Sequence, residues 1–267
     1  MDEKLPLLIS IPHGGDAIPD EIKGRTSLTA RDIFEDGDPL TREIYDFKGK
    51  VAACVQADVG RAFVDLNRKA SDLPPENPDG VLKLHTLTGK SVYNDGEFPD
   101  EALRRRLLDR YYHPYYQEIE GFLGEKKIRL ALDCHAMLAS PPFFSPTPHE
   151  KRPMICLSNG GDSRGERGRD RRLTCPPPWI RNLSDCLSRT FDRERGAVRI
   201  NDPFKGGHLS MFLSRGRVPW IQVEINRDLY LSPPWYDEAR LSVSPERITH
   251  INAILLEAIT SWVRFVF

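Results

Sequence analysis

Cysteine is too sparse and too irregular in this chain to build a scaffold. The five residues Cys54, Cys134, Cys156, Cys175 and Cys186 are odd in number, and no two are spaced as Cys-x-x-Cys. A disulfide framework and a structural zinc ribbon are therefore not expected. Long apolar runs are missing as well: none approaches the roughly 20 residues that span a bilayer. No basic segment followed by a signal-peptide core is found, and Met1-Asp2-Glu3-Lys4 leads straight into a strand-like stretch. A cytoplasmic location is the default expectation. Charge of one sign is also lacking. The formal net charge is −1, so there is no general electrostatic case for nucleic acid or an anionic membrane as partner.

What is present suits a soluble globular protein: 267 residues, 39% hydrophobic and 29% charged. That length buries a sizeable core, read here as one domain over residues 1–267. Apolar or β-branched runs at 6–12, 51–57, 63–66, 128–134, 154–158, 198–200 and 218–225 read as strands. Asp38-Pro39 opens a helical pattern, with Asp38 as N-cap and Pro39 at the first helical position. Residues 99–123 repeat apolar side chains at helical spacing, and Pro114 should bend or divide that helix. Further helices are expected from Pro178 to about Arg193 and over about 244–265. Residues 70–98 look like a long excursion, and 138–150 and 160–172 like loops. Strands alternating with helices argue for an α/β sheet.

Two of the runs end by presenting a histidine: Leu7 to Ile11, followed by Pro12-His13-Gly14-Gly15, and Ile128 to Cys134, followed by His135. Ligands of open α/β sheets bind beyond the carboxyl ends of the strands. Two imidazoles delivered there suit a metal, and a catalytic zinc commonly takes three protein ligands. The third would be a carboxylate, either Asp16, in a compact His-x-x-Asp, or Asp38 at its helix start. The plain alternatives are a solvated loop acid and an ordinary N-cap. Asp133 shares a strand face with His135 and could orient it. Cys134, alternating with both, should point into the core.

Three further segments carry chemistry-bearing residues. In Gly60-Arg61-Ala62-Phe63-Val64-Asp65-Leu66-Asn67-Arg68, an Asn-Arg pair suits a substrate carboxylate; an Asp65 ion pair with Arg61 or Arg68 is the structural alternative. In Pro203-Phe204-Lys205-Gly206-Gly207-His208 the two glycines allow a close backbone approach. In Ile221-Gln222-Val223-Glu224-Ile225-Asn226-Arg227, Glu224 is an acid inside an apolar strand. Burial raises a carboxyl pKa, which suits a general base, whereas an arginine partner would make the residue structural.

Taken in order, Pro12-His13-Gly14-Gly15, Asp65-Leu66-Asn67-Arg68, Asp133-Cys134-His135, Pro203 to Gly207 and Gln222 to Arg227 resemble the N-formylglutamate amidohydrolase family. Arg110-Tyr111-Tyr112-His113-Pro114-Tyr115 is similar to that family's central helix. The resemblance spans about residues 7–230. It implies a phosphorylase/hydrolase-like α/β fold, a mixed sheet flanked by helices, related to zinc carboxypeptidases and aspartoacylases. It implies Zn2+ held by His13, His135 and Asp38, whose Asp-led helix favours it over Asp16. Asn67 and Arg68, assisted by Arg61, would bind substrate, and Glu224 would be the base. The activity implied is hydrolysis of a linear amide in a small N-acyl amino acid such as N-formylglutamate. A carboxypeptidase or another deacylase is the alternative, and a binding protein on the same fold is the alternative of another class. Ala136, Tyr116 and His208 depart from the common family pattern of serine, histidine and tyrosine, which bears on the substrate.

Overall fold

The central strands read as unbroken apolar runs because the sheet is covered on both faces. The computed structural model describes residues 4–125, 127–142, 149–168, 172–194, 196–216 and 218–267. The expected loops at 138–150 and 160–172 lie partly outside them. Strands β1 (Leu5–Ile11), β2 (Val51–Gln56), β3 (Leu130–Met137), β4 (Ile155–Ser158), β5 (Val198–Ile200) and β6 (Trp220–Asn226) form one sheet in the order β2-β1-β3-β6-β4-β5. β2, β1, β3 and β6 are mutually parallel; β4 pairs antiparallel with β6 and carries β5 beside it. This is the expected mixed α/β sheet.

Alternation sorts the side chains between two cores. Leu7, Ile9, Ile11, Leu132, Cys134, Ile221 and Val223 face one side, together with Ile180 and Leu183 of α5 (Pro177–Thr190) and Ile251, Leu255 and Trp262 of α7 (Pro245–Val266). Cys134 is thus a core residue. Leu8, Val55 and Ala131 face the other side, with Leu103 and Leu107 of α3 (Glu101–Leu107) and Tyr115 and Ile119 of α4 (His113–Leu123). Asp133 and His135 alternate with the first set, so they lie on the α3–α4 side of the sheet.

Caps and proline explain the helix limits. Asp100 accepts from the Leu103 amide at 2.8 Å and starts α3; Ser244 accepts from the Arg247 amide at 3.2 Å and starts α7. Between α3 and α4 the chain widens into a π-turn over Leu108–Tyr112. Pro114 has no N–H to offer the Arg110 carbonyl, and the division expected there occurs just before it. No helix among the described residues is long and apolar enough to cross a membrane.

Three local readings are corrected. Residues 63–66 form no strand. They turn, with the Phe63 amide donating to the Gly60 carbonyl at 3.0 Å and the Asp65 amide to Val81 at 2.9 Å. Their apolar character reflects complete burial of Phe63, Val64 and Leu66, not sheet pairing. A helix not anticipated, α1 (Ala30–Asp36), is started by a capping box between Thr29 and Asp32. The helical pattern after Pro39 also shrinks to four residues, α2 (Thr41–Ile44), with Leu40 left-handed at φ 62° before it. Asp38 is therefore not an N-cap.

Candidate metal centre

His13 stands two residues beyond β1, where the chain turns away from the sheet edge. Gly15 makes the turn possible: a Cβ there would lie 2.4 Å from the Asp58 carbonyl carbon and oxygen. The His13 carbonyl then accepts from the Asp38 amide at 2.9 Å, which brings that distant residue alongside. Thr41 Oγ1 donates to the Asp38 carbonyl at 2.7 Å, and Tyr230 donates its hydroxyl proton to the Pro39 carbonyl at 3.0 Å. These contacts hold the left-handed Leu40 and aim the Asp38 carboxylate inward rather than at a helix terminus. His135, on β3, arrives from the neighbouring strand, and Tyr45 fixes its carbonyl at 3.2 Å.

The three side chains converge. His135 Nδ1 lies 3.1 Å from His13 Nδ1 and 3.0 Å from Asp38 Oδ2, and His13 Nδ1 lies 3.4 Å from the same oxygen. Donors bound to one tetrahedral zinc at about 2.0–2.1 Å would stand about 3.3–3.4 Å apart, so the trio needs almost no movement to hold such an ion. All three are buried. Asp16 is exposed and lies outside the trio.

The surroundings fit a cation. His13 Nε2 lies 2.8 Å from Asp65 Oδ1. A carboxylate only accepts, so Nε2 carries the proton and Nδ1 turns a lone pair to the centre. Asp65 also accepts from Arg61 Nε at 3.1 Å and the Asn67 amide at 2.9 Å. Arg61 is therefore the partner of Asp65, the structural alternative noted above. On the other imidazole, His135 Nε2 is 3.2 Å from Asp133 Oδ1. The approach is off-line for a hydrogen bond, and neither Asp133 oxygen has another partner despite complete burial. Burial would depress the His135 pKa, but the Asp133 and Asp38 carboxylates outweigh it and raise it well above 6.5. Burial would likewise raise Asp38, yet the adjoining His13 and His135 imidazoles hold it well below 3.8. The orphaned Asp133 oxygens beside the buried Asp38 carboxylate leave negative charge that a metal cation would neutralise.

Glu224 lies beside His135 on β6, their positions paired in register. Its pKa is raised, first by burial and against the pull of His135; the Asp38 charge adds to the rise. Gln222 Nε2 donates to Glu224 Oε1 at 2.8 Å, and its own carbonyl oxygen accepts from the Gly207 amide. Gln222, which sequence reasoning noted only as part of a motif, ties the 203–207 loop to the acid. The close approach of Gly207 is to Asn67: a Cβ at 207 would lie 2.2 Å from Asn67 Nδ2. Asn67 Oδ1 accepts from the Leu209 amide at 2.8 Å, and Nδ2 lies 3.2 Å from His135 Nε2.

These residues open on one cavity of about 540 Å³. Arg68 lines it, donating from Nε to the Asp79 carbonyl at 2.8 Å and from Nη2 to its carboxylate. Three contributors were not foreseen as site residues. Arg227 pairs with Asp38 Oδ1 at 3.2 Å and donates to the Gly37 carbonyl; its only signal was its place in the Gln222–Arg227 motif. Arg152 lines the wall from a segment with no recognisable pattern. Lys83, fully buried within the long excursion, bonds Asp36 at 2.7 Å and pins that excursion near the site. Of the departing positions, Ala136 lines the cavity, whereas Tyr116 and His208 face each other at 6.4 Å between ring centroids. Tyr116 donates its hydroxyl proton to the Leu66 carbonyl at 2.8 Å, bracing the turn that carries Asn67.

Comparison with known proteins adds the family and the fold. Residues 5–231 match the family pattern described as N-formylglutamate amidohydrolase. An N-formylglutamate deformylase of Pseudomonas putida is 24% identical over 237 residues, 85% of this chain and 82% of that protein. The crystal structure of an N-formylglutamate amidohydrolase from Ralstonia eutropha JMP134 superposes with a TM-score of 0.75 at 20% identity, covering 99% of this chain and 96% of that one. A gene product of Agrobacterium tumefaciens gives 0.63 at 19% identity, over 98% and 92%. At such identities the two structures show the shared fold.

Proposed function

The chain belongs to the N-formylglutamate amidohydrolase family, and from that premise we propose that it is a zinc-dependent hydrolase removing the formyl group from N-formylglutamate or a close N-acyl amino acid. We read residues 1–267 as one such domain. The observation that carries the reading is the meeting of His13, Asp38 and His135 beside Glu224 at the floor of one cavity. His13 Nδ1, His135 Nδ1 and Asp38 Oδ2 would hold the ion. When bound, zinc polarises the amide carbonyl and lowers the pKa of a water.

The protein's own groups supply the rest. Glu224 takes the proton of the attacking water on its carboxylate and delivers it to the leaving amide nitrogen, so formate and a free amine result. Its raised pKa suits it to hold that proton between the two steps. Gln222 orients the acid through their 2.8 Å bond. Asp65 keeps His13 in the tautomer that frees Nδ1. Arg68 receives a substrate carboxylate by exchanging its half-exposed Asp79 partner for the ligand. Arg61 and Asn67 border the same space and set the positions of Asp65 and His135.

The test is formate and amine release from N-formylglutamate by purified protein, with metal content measured on the same sample. The reading expects stoichiometric zinc, turnover and loss of turnover to a chelator. A metal-free protein with no hydrolysis of any N-acyl amino acid would favour a binding protein on this fold.

A further inference from the structure

The cavity is lined by Arg61, Arg68, Arg152, Lys205 and Arg227. Three of the four guanidinium groups have a carboxylate partner: Arg61 with Asp65, Arg68 with Asp79 and Arg227 with Asp38. Arg152 has none among the described residues. The contacts of Arg152 are a donation from Nη1 to the Leu138 carbonyl at 3.3 Å and a guanidinium lying 4.9 Å from the Phe204 ring centre. Its Nε is buried without a partner.

That environment does not suit a merely structural arginine. Burial disfavours its charge, the Glu224 carboxylate offsets part of that cost from beyond ion-pair distance, and the group retains most of its planar donor set. A guanidinium with no carboxylate partner among the described residues, at the wall of a partly desolvated cavity, favours a planar anion presenting two oxygens. Stacked on Phe204 and held by the Leu138 carbonyl, Arg152 is already oriented, so little rotamer freedom is lost when an anion arrives. Arg68 lines the same cavity from a different segment, the 65–68 turn, where Asp79 engages it. We propose that Arg152 receives one carboxylate of the substrate while Arg68 receives the other, so that the pocket selects dicarboxylic N-acyl amino acids. This deepens the hydrolase reading above and rests on it.

The experiment compares wild type with Arg152→Ala, Arg152→Met and Arg152→Lys on N-formylglutamate and on its two monoamides, neutral at either the side chain or the α-position. Metal content and melting temperature are recorded for each variant, and glutarate binding is titrated independently of turnover. Arg152→Ala and Arg152→Met should raise KM for the diacid about 10–100-fold, as expected when a charge-assisted contact is lost. One monoamide, the one whose neutral end faces Arg152, should lose less than about threefold under the same comparison. Arg152→Lys should recover part of the diacid KM, and glutarate affinity should fall in step with KM.

Equal losses on the diacid and both monoamides, or an unchanged KM, would overturn the inference while leaving the hydrolase reading intact. If wild type hydrolyses no N-formyl amino acid, the hydrolase reading fails and glutarate decides alone. Arg152-dependent glutarate binding then supports the carboxylate site, and equal or absent binding by wild type and variant overturns it.

Discussion

Glu224 of β6 and His135 of β3 are register partners on adjacent parallel strands, so the acid and the imbalance of charge around the imidazoles share one face of the sheet. A slip of one residue in either strand would send one of the two side chains to the opposite core.

Replacing Glu224 with glutamine keeps the shape and the neighbour Gln222 but removes the proton acceptor. Base catalysis is worth about 10²–10⁴-fold, so kcat should fall by that order with zinc content unchanged. Steady-state kinetics paired with metal analysis check this. A near-normal kcat would move the base elsewhere.

Chelation should abolish turnover and lower the melting temperature together, because an ion bound only to the folded chain stabilises it by mass action. His135→Ala should show both losses without chelator. Calorimetry with and without added zinc measures the effect. A melting temperature indifferent to zinc would mean that the trio is only a hydrogen-bonded cluster.

Asp65→Asn removes the negative charge and one of the two acceptor oxygens shared by His13 and Arg61. Outer partners of metal-bound histidines are typically worth about 10–100-fold in metal affinity. Competition against a chromogenic chelator should reveal a loss of that size. Arg61→Ala tests the same link from behind Asp65 and should give a smaller loss.

Gly207→Ala places a methyl group 2.2 Å from Asn67 Nδ2, in an amide already held by the Leu209 N–H. Either the loop or Asn67 must move, at an overpacking cost of about 1–3 kcal/mol. Urea unfolding should show this destabilisation, and kcat should fall because Gln222 loses its hold on the Gly207 amide.

Away from the site, Arg247 donates to both Glu194 oxygens at 2.7 and 2.8 Å and ties the start of α7 to the end of the α5 turn. The Arg247 hydrogen bonds hold the Glu194 pKa below 4.5, so the folded pKa is the lower one. The stabilisation is present above the unfolded value and is lost as pH falls through the folded pKa. Glu194→Gln should therefore cost on the order of 1 kcal/mol at neutral pH. That gap should narrow below about pH 4.3, as read from melts across a pH series.

Several features were legible in the residues alone. The apolar runs of β1, β3 and β6 announced themselves because strands buried on both faces cannot carry polar residues freely. The breaks that close those runs, Pro12-His13-Gly14-Gly15 and Asp133-x-His135, marked the chemistry, because buried polar groups at strand ends need a reason. The helices over 99–123 and about 244–265 followed from apolar spacing, and the division near Pro114 from local backbone chemistry. The short runs at 63–66 and after Asp38 misled, since burial without pairing and a left-handed Leu40 leave no periodic trace.

Tertiary structure decided what meets what. His13, Asp38, Asp65, His135 and Glu224 are far apart in the chain, and strand order with register brings them to one cavity. Asp16 stood as the alternative to Asp38; a backbone bond from Asp38 to the His13 carbonyl brings Asp38 alongside, whereas Asp16 lies outside the trio. Arg61 and Arg68 both stood as substrate contacts or ion-pair partners of Asp65; the fold gives Asp65 to Arg61 and Asp79 to Arg68. Arg152 gave no sequence signal at all, because having no carboxylate partner among the described residues is a property of the space around a side chain and not of its neighbours along the chain. Periodicity and capping are local and survive in one dimension. Charge pairing and coordination depend on distances between residues remote in sequence, and those exist only once the sheet has chosen its order.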